Sequence, residues 1–274
     1  MSFKIGVVEW GFPFSGPYSL KIASELGLDG MELDFGEYEM DLPLHNPRVQ
    51  DMYLECGEKF GIEFPSMALN ALNVHGMSCG LDTADGMIAV EVIRKGLETA
   101  KRMNIPVVQL PSFHDNRGDI RTEEDFYNTC EKLRFACDIA EDSNLTLALE
   151  NVLDAEKTKQ MLREVGSDRL KVMFDTQNYY LNHRYSQPDM LRELSDYVAQ
   201  IHVKDGFNNT ISSALLGTGD ASFLETAKVI KETKCTEWLL LENFYYQKPL
   251  SLLTDDTFEL VAKDIETLKR IFNE

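Results

Sequence analysis

The sequence predicts a (β/α)₈ TIM barrel in which residues 1–274 form a single domain. Two observations carry that expectation. Short apolar runs alternate with longer segments of helical spacing, the pattern of βα units feeding a parallel sheet, and the alternation recurs eight times without a linker. A doubly wound sheet usually has fewer strands and a nucleotide fingerprint, whereas no G-x-G-x-x-G follows the first strand. The sequence also has no P-loop, no low-complexity segment and no short tandem repeat.

The first unit pairs a strand over 4–9 with a helix over about 18–26, and the second pairs 30–35 with about 47–60. Gly27 and Gly61 stop these two helices, because glycine takes the left-handed conformation at no steric cost. The third strand spans 62–70, followed by a loop with His75 and a long helix over about 84–103. The fourth, 106–110, stops at Pro111; a loop carrying His114, Arg117 and Arg121 follows. Thr122-Glu123-Glu124-Asp125 then supplies a cap and acids for a helix reaching about Ser143. The fifth unit is the apolar run from Leu145 to Glu150-Asn151 with a helix over about 155–165, and the sixth is 170–175 with about 187–195. The seventh strand covers 198–204, and its helix waits until about Ser222, after a loop with Gly206, Gly217 and Gly219. The eighth, 238–241, leads to a closing helix over about 255–272.

Composition excludes several classes of function. With 27 basic against 46 acidic residues the net charge is −19, which repels a phosphate backbone and argues against nucleic acid as a partner. No apolar run approaches the roughly 20 residues of a membrane helix, and residues 1–6 enter a strand-like run directly, without a signal-peptide pattern. A soluble, cytoplasmic protein is expected. Five cysteines, an odd number with no Cys-x-x-Cys pair, fit a reducing compartment, and Cys130 and Cys137 are expected as small buried side chains on one helix.

The chemistry is written at the strand ends. Strands five to eight finish on Glu150, Asp175, His202 and Glu242, and in a barrel such residues converge on the C-terminal mouth. Three carboxylates and one imidazole make a mostly oxygen site suited to one divalent ion, Mn²⁺ first, with Mg²⁺, Co²⁺ or Fe²⁺ as alternatives. Without a cation these acids would repel one another and hold protons. A single acid at a strand end could as well cap a helix or pair with a lysine, but four ligand types on consecutive strands form a joint pattern that chance does not readily give.

Leu149-Glu150-Asn151, Phe174-Asp175-Thr176, Ile201-His202-Val203-Lys204-Asp205, Leu216-Gly217-Thr218-Gly219-Asp220 and Leu241-Glu242-Asn243 resemble the xylose-isomerase-like barrel superfamily. Gly27-Leu28-Asp29-Gly30-Met31-Glu32-Leu33 is similar to its strand-two signature, so the resemblance covers essentially the whole chain. Within it the chain looks like the sugar phosphate isomerase and epimerase group that includes the tagatose and allulose 3-epimerases. The resemblance implies that Glu150, Asp175, His202 and Glu242 hold one metal, with Glu150 and Glu242 also the catalytic acid/base pair. A metal on two oxygens of a ketose acidifies the neighbouring carbon, and two glutamates on opposite sides of the substrate can then remove and return a proton. Transfer to the opposite face is epimerisation; transfer between carbons on one face is aldose–ketose isomerisation. Two departures stand out. Asn178 occupies the place of the histidine that the epimerases carry three residues after the strand-six aspartate, and residues 206–220 lack the usual arginine. A phosphate clamp would then have to come from Arg117, Arg121 or Arg184.

Further substrate-contact candidates are Asn178, which could still hydrogen-bond a hydroxyl, and Glu32, Lys204, Glu156, His75 and His114, these five each with a plainer alternative. Glu32 could sit in a buried network, Lys204 could pair with a ligand carboxylate, Glu156 could face outward on its helix, and the two histidines could be solvent-exposed. Trp10, Phe12 and Phe14 follow the first strand and could wall the mouth or contact a second subunit, since such barrels occur as monomers and homo-oligomers. The expected activity is a divalent-metal-dependent epimerase or isomerase of a ketose or ketose derivative. Rival readings are a dehydratase of an inosose or dehydroshikimate type of substrate and a non-catalytic metal-dependent sugar-binding protein. An apurinic endonuclease would need extra histidines that strands three and four and position 178 do not supply.

Overall fold

The computed structural model describes residues 3–113 and 120–272. The elements are β1 (Lys4–Val8), α1 (Ser19–Glu25), β2 (Gly30–Asp34), α2 (Pro47–Phe60), β3 (Met67–Ala68), α3 (Ala84–Met103), β4 (Val107–Pro111), α4 (Glu123–Ala140) and β5 (Thr146–Glu150). They continue with α5 (Ala155–Val165), β6 (Leu170–Asp175), α6 (Asn178–His183), α7 (Gln187–Leu194), β7 (Val198–Val203), α8 (Phe223–Thr233), β8 (Trp238–Leu241) and α9 (Phe258–Phe272). The eight strands form a closed barrel in chain order, with β8 pairing parallel to β1 through Lys4↔Trp238 and Val7↔Leu241. A parallel strand covered on both faces has no solvent side, which is why these strands read as continuous apolar runs rather than alternating ones. In β5, Leu147, Ala148 and Leu149 are all fully buried.

The chain forms two compact units, residues 1–32, 56–64 and 174–274 in one and residues 33–55 and 65–173 in the other. Three of the four boundaries fall inside β2, α2 and β6, and the fourth, between residues 64 and 65, falls in the segment between α2 and β3. In the first unit the backbone at Gly30 packs so tightly that an added Cβ would lie 2.7 Å from the Trp238 ring and 2.9 Å from the Glu63 carbonyl oxygen; only glycine fits. Apolar residues of α9, Leu260, Val261, Ile265 and Leu268, are buried at three- and four-residue spacing. In the second unit α3 buries Ala89, Val92, Ile93, Leu97 and Ala100 in the same way.

Several expected helix ends are explained by local chemistry. Gly27 and Gly61 follow their helices at φ 77° and 70°. Thr122 accepts from the Asp125 amide while Asp125 accepts from the Thr122 amide, a reciprocal capping box that starts α4. This helix ends at Ala140 rather than about Ser143, where the Ser143 hydroxyl bonds the Ala140 carbonyl instead of extending the helix. The last helix starts at Phe258, not 255, because the Asp256 carboxylate caps the Phe258 amide.

Two expectations are corrected. The third strand is reduced to Met67–Ala68 because Pro65 has no amide to donate and splits the expected run. Pairing survives on either side of it, from the Met31 amide to the Glu63 carbonyl (2.9 Å) and from the Leu33 amide to the Ser66 carbonyl (3.1 Å). α6 was not expected: it is a six-residue helix in which every residue but Leu181 has modest intrinsic helix preference. It forms because the Asp175 carboxylate accepts from the Gln177 and Asn178 amides just ahead of it (2.7 and 2.6 Å).

Cys79, Cys130 and Cys137 are buried free thiols, and burial pushes the Cys130 thiol up to about 11. Among the described residues no helix is long and apolar enough to cross a membrane.

Candidate metal centre

Glu150, Asp175, His202 and Glu242 are all buried, and each offers one ligand atom within 4.8 Å of those of the others. Each side chain is positioned by its own strand. β5 carries Glu150 at its last position, opposite Pro111 of β4. The Glu150 carbonyl accepts from the Ser112 amide (3.0 Å) and hydroxyl (3.1 Å), which fixes the end of the strand. The Glu150 carboxylate accepts from the Gln109 side-chain amide.

Asp175 ends β6 with its two oxygens differently employed. Oδ1 takes the two backbone amides that open α6, and Oδ2 lies 3.0 Å from the Lys204 ammonium. His202, on β7, is fully buried; its Nε2 lies 2.7 Å from Glu32 Oε2 and its Nδ1 lies 3.2 Å from Glu242 Oε2. A carboxylate on the far nitrogen of a ligating imidazole fixes its tautomer and makes the near nitrogen a better donor, so Nδ1 is the atom turned to the cluster. Glu242, the residue after β8, accepts from the Trp10 indole N–H at Oε1 (3.1 Å) and from Lys204 at Oε2 (2.7 Å). The Ser212 hydroxyl holds its backbone carbonyl at 3.1 Å.

Burial would raise the Glu242 carboxyl, but the neighbouring charges of Lys204 and His202, with a hydrogen bond from His202, hold it well below the usual carboxylate range. The donor set, one imidazole nitrogen and three carboxylates with a carboxylate behind the imidazole, fits a hard divalent cation and contains no thiolate.

The other expected contacts divide sharply. Glu32 and Lys204 both touch the cluster, Glu32 through His202 and Lys204 through Asp175 and Glu242. Asn178 is buried beside Asp175, to which it donates its backbone amide. Glu156 does not lie with them: its side chain is 75% exposed on α5 and bound to Arg163 at 2.7 Å, off the face that buries Ala155, Thr158, Met161 and Leu162. His75 is also corrected, being buried rather than solvent-exposed. Its Nδ1 lies 2.8 Å from Asp85 and its Nε2 2.9 Å from Glu39, so both nitrogens face carboxylates, one at the start of α3 and one in the segment before α2. His114 and Arg117 lie outside the described residues.

Trp10 holds Glu242, Phe12 is buried against Phe258, and Phe14 is half exposed. Of the remaining arginines, Arg184 stacks on Tyr180 and donates to the Asn208 carbonyl. Sequence reasoning missed Gln109 altogether. Its signal was a lone amide within the apolar run Val107-Val108-Gln109-Leu110.

A family model described as xylose isomerase-like TIM barrel matches residues 20–271. A 2-epi-5-epi-valiolone 7-phosphate 2-epimerase from an Actinoplanes species is 29% identical over 249 residues, which cover 89% of this chain and 88% of the relative. Among solved structures, a D-allulose 3-epimerase from a Methylomonas species in complex with D-allulose superposes with a TM-score of 0.76 at 15% identity, covering 99% of this chain and 98% of that one. The IOLI protein, in a structure with a zinc atom, superposes with a TM-score of 0.74 at 17% identity, with 98% of each chain covered. At such identities the two structures establish a shared fold.

Proposed function

We propose, for a chain that belongs to the xylose isomerase-like TIM barrel family, a divalent-metal-dependent epimerase or isomerase of a ketose or ketose derivative, worked by the eight units as one domain. The observation that carries the proposal is the convergence of four buried ligand atoms within 4.8 Å, three of them carboxylate oxygens. So many buried carboxylates are costly unless a cation is the intended occupant. Support for the reaction class comes from the Actinoplanes relative and the Methylomonas structure, both named as epimerases.

Glu150, Asp175, His202 and Glu242 would hold the ion, Mn²⁺ in the first instance, with Glu32 orienting the His202 ring. When bound, the ion supplies the positive charge that polarises a substrate carbonyl and lowers the barrier to enediolate formation. The chain's own groups do the proton chemistry. Glu242, held ionised beside Lys204, would take the proton from the carbon next to the carbonyl, and Glu150, first protonated from solvent, would return one, Glu242 then losing its proton to solvent to reset the pair. Return to the opposite face inverts the centre; return to the adjacent carbon interconverts ketose and aldose. Trp10 and Gln109 each fix one carboxylate oxygen of the pair, on Glu242 and Glu150 respectively. Asn178 is the candidate for a substrate hydroxyl. The cytoplasm is the proposed compartment.

The test is solvent deuterium exchange into a panel of free and phosphorylated ketoses with Mn²⁺-loaded protein. Incorporation at a carbon beside the carbonyl is expected, lost by roughly 10²–10⁴-fold in Glu150→Gln and in Glu242→Gln. Binding of a sugar without exchange of any carbon-bound proton would rule out catalysis, and an unsaturated product would identify a dehydratase instead.

A further inference from the structure

We propose that Lys204 is the resident cation of this site: it holds Asp175 and Glu242 together before a metal arrives, and its charge sets how tightly a divalent ion is then taken. The inference rests on the assignment of the metal centre and deepens it. Lys204 lies two residues after His202, immediately beyond the end of β7, is only 1% exposed, and places its ammonium 3.0 Å from Asp175 Oδ2 and 2.7 Å from Glu242 Oε2. A lysine this deeply buried is tolerated only when its charge is matched at short range. Here the match is made by two of the four residues that would bind the metal.

The balance of charge sets the affinity. Glu150, Asp175, Glu242 and, behind His202, Glu32 bring four carboxyl groups together, and the Lys204 ammonium lies against two of them before any metal is present. Without a metal the ammonium leaves the cluster partly compensated, and in the loaded site it stands beside a second positive charge. Glu242 Oε1 is held by Trp10, so Oε2 is the oxygen shared by Lys204 and His202, and it is the atom a metal must compete for. Lys204 therefore stabilises the metal-free protein and weakens metal binding at once. A lysine with a purely structural role would stabilise metal-free and metal-loaded protein alike and leave the affinity unchanged or reduced on removal.

The experiment compares wild type with Lys204→Met after exhaustive metal stripping. Thermal unfolding is followed with and without Mn²⁺, and Mn²⁺ affinity is measured by competition with a chelating dye. Lys204→Met should melt lower than wild type when stripped, recover most of that difference in saturating Mn²⁺, and bind Mn²⁺ about tenfold or more tightly, since removal of one nearby positive charge favours a second. Recovery of the variant only from Mn²⁺-supplemented cultures is the same outcome in stronger form. Equal stripped stability, equal or weaker affinity, or failure to fold even with Mn²⁺ overturns the proposal. A wild type that binds no Mn²⁺ beyond Glu150→Gln and Glu242→Gln would instead sink the metal centre itself.

Discussion

His202 is held at Nε2 by Glu32, and a metal would meet the other nitrogen, so the quality of the ligand is decided one residue behind it. Glu32→Gln keeps the shape but removes the charge that fixes the imidazole tautomer. It should weaken Mn²⁺ binding by about 10–100-fold, measured by chelator competition, while leaving the far-ultraviolet circular dichroism unchanged. Asp264 offers an independent test at the same scale. Burial raises its carboxyl to about 7, against the backbone amide of Leu216 and the side chains of Asn243 and Tyr245, all of which donate to it. Its folded value lies above its ordinary 3.8, so the folded state holds this proton more tightly. The associated stability is full below about pH 4 and is lost as pH rises to about 7. Between pH 5 and pH 8 the loss should be roughly 2–3 kcal/mol. Asp264→Asn removes that dependence, so its urea-derived stability should improve relative to wild type over the same range. The four strand-end candidates for metal binding were legible in the sequence because each stands at or next to the end of an apolar run. Gln109 and Trp10 were not legible as partners of Glu150 and Glu242, because the pairing of a strand-four amide or a post-strand indole with a given carboxylate is a tertiary fact.

The segment between β7 and α8 is organised by one side chain. Asp205 accepts from the amides of Gly206 (2.9 Å), Gly217 and Gly219 (both 3.0 Å) and Ala221 (3.3 Å), and burial raises its carboxyl while those amides pull it back. An added Cβ at Gly219 would lie 2.4 Å from Asp205 Oδ1, so the glycine permits the close approach the carboxylate needs. The same segment carries Ser212, whose hydroxyl holds the Glu242 carbonyl. Asp205→Ala would strand these amides and should cost about 3 kcal/mol or more in urea unfolding, with new proteolytic cleavage between residues 206 and 221. Unchanged stability would show that water replaces the carboxylate without loss. The glycines here were visible in the sequence as loop markers, but their common partner was not. Long periodic elements such as α2, α3 and α5 were legible to their ends because caps and glycines sit at those ends. β3 and α6 were not, although their signals are local: Pro65 lacks an amide inside the expected run and Asp175 caps the amides two and three residues on, and the apolar periodicity on either side outweighed both.

Across the whole molecule the 46 acidic side chains outnumber the 27 basic ones, and that excess bears on stability as well as on partners. The surface contains ion pairs such as Lys4–Glu63, Lys21–Glu25, Arg94–Glu98 and Arg134–Glu164 at 2.6–3.0 Å. Each is solvent-exposed and worth about 1 kcal/mol at most, and each weakens in salt. Opposing them, the net charge of −19 creates repulsion that acts over longer distances. Raising monovalent salt from about 0.01 to 0.3 M shortens the screening length from about 30 Å to well under 10 Å, which removes long-range repulsion far more completely than contact attraction. The two effects have opposite signs, so the direction of the shift reports which dominates. Metal-stripped protein should melt a few degrees higher at the upper concentration, each kcal/mol corresponding to roughly 2–4 °C for a chain of this size. Choline chloride should act as potassium chloride does, because screening depends on ionic strength rather than ion identity. A lower melting temperature in both salts would show that the local ion pairs, not the net charge, govern the stability of the fold.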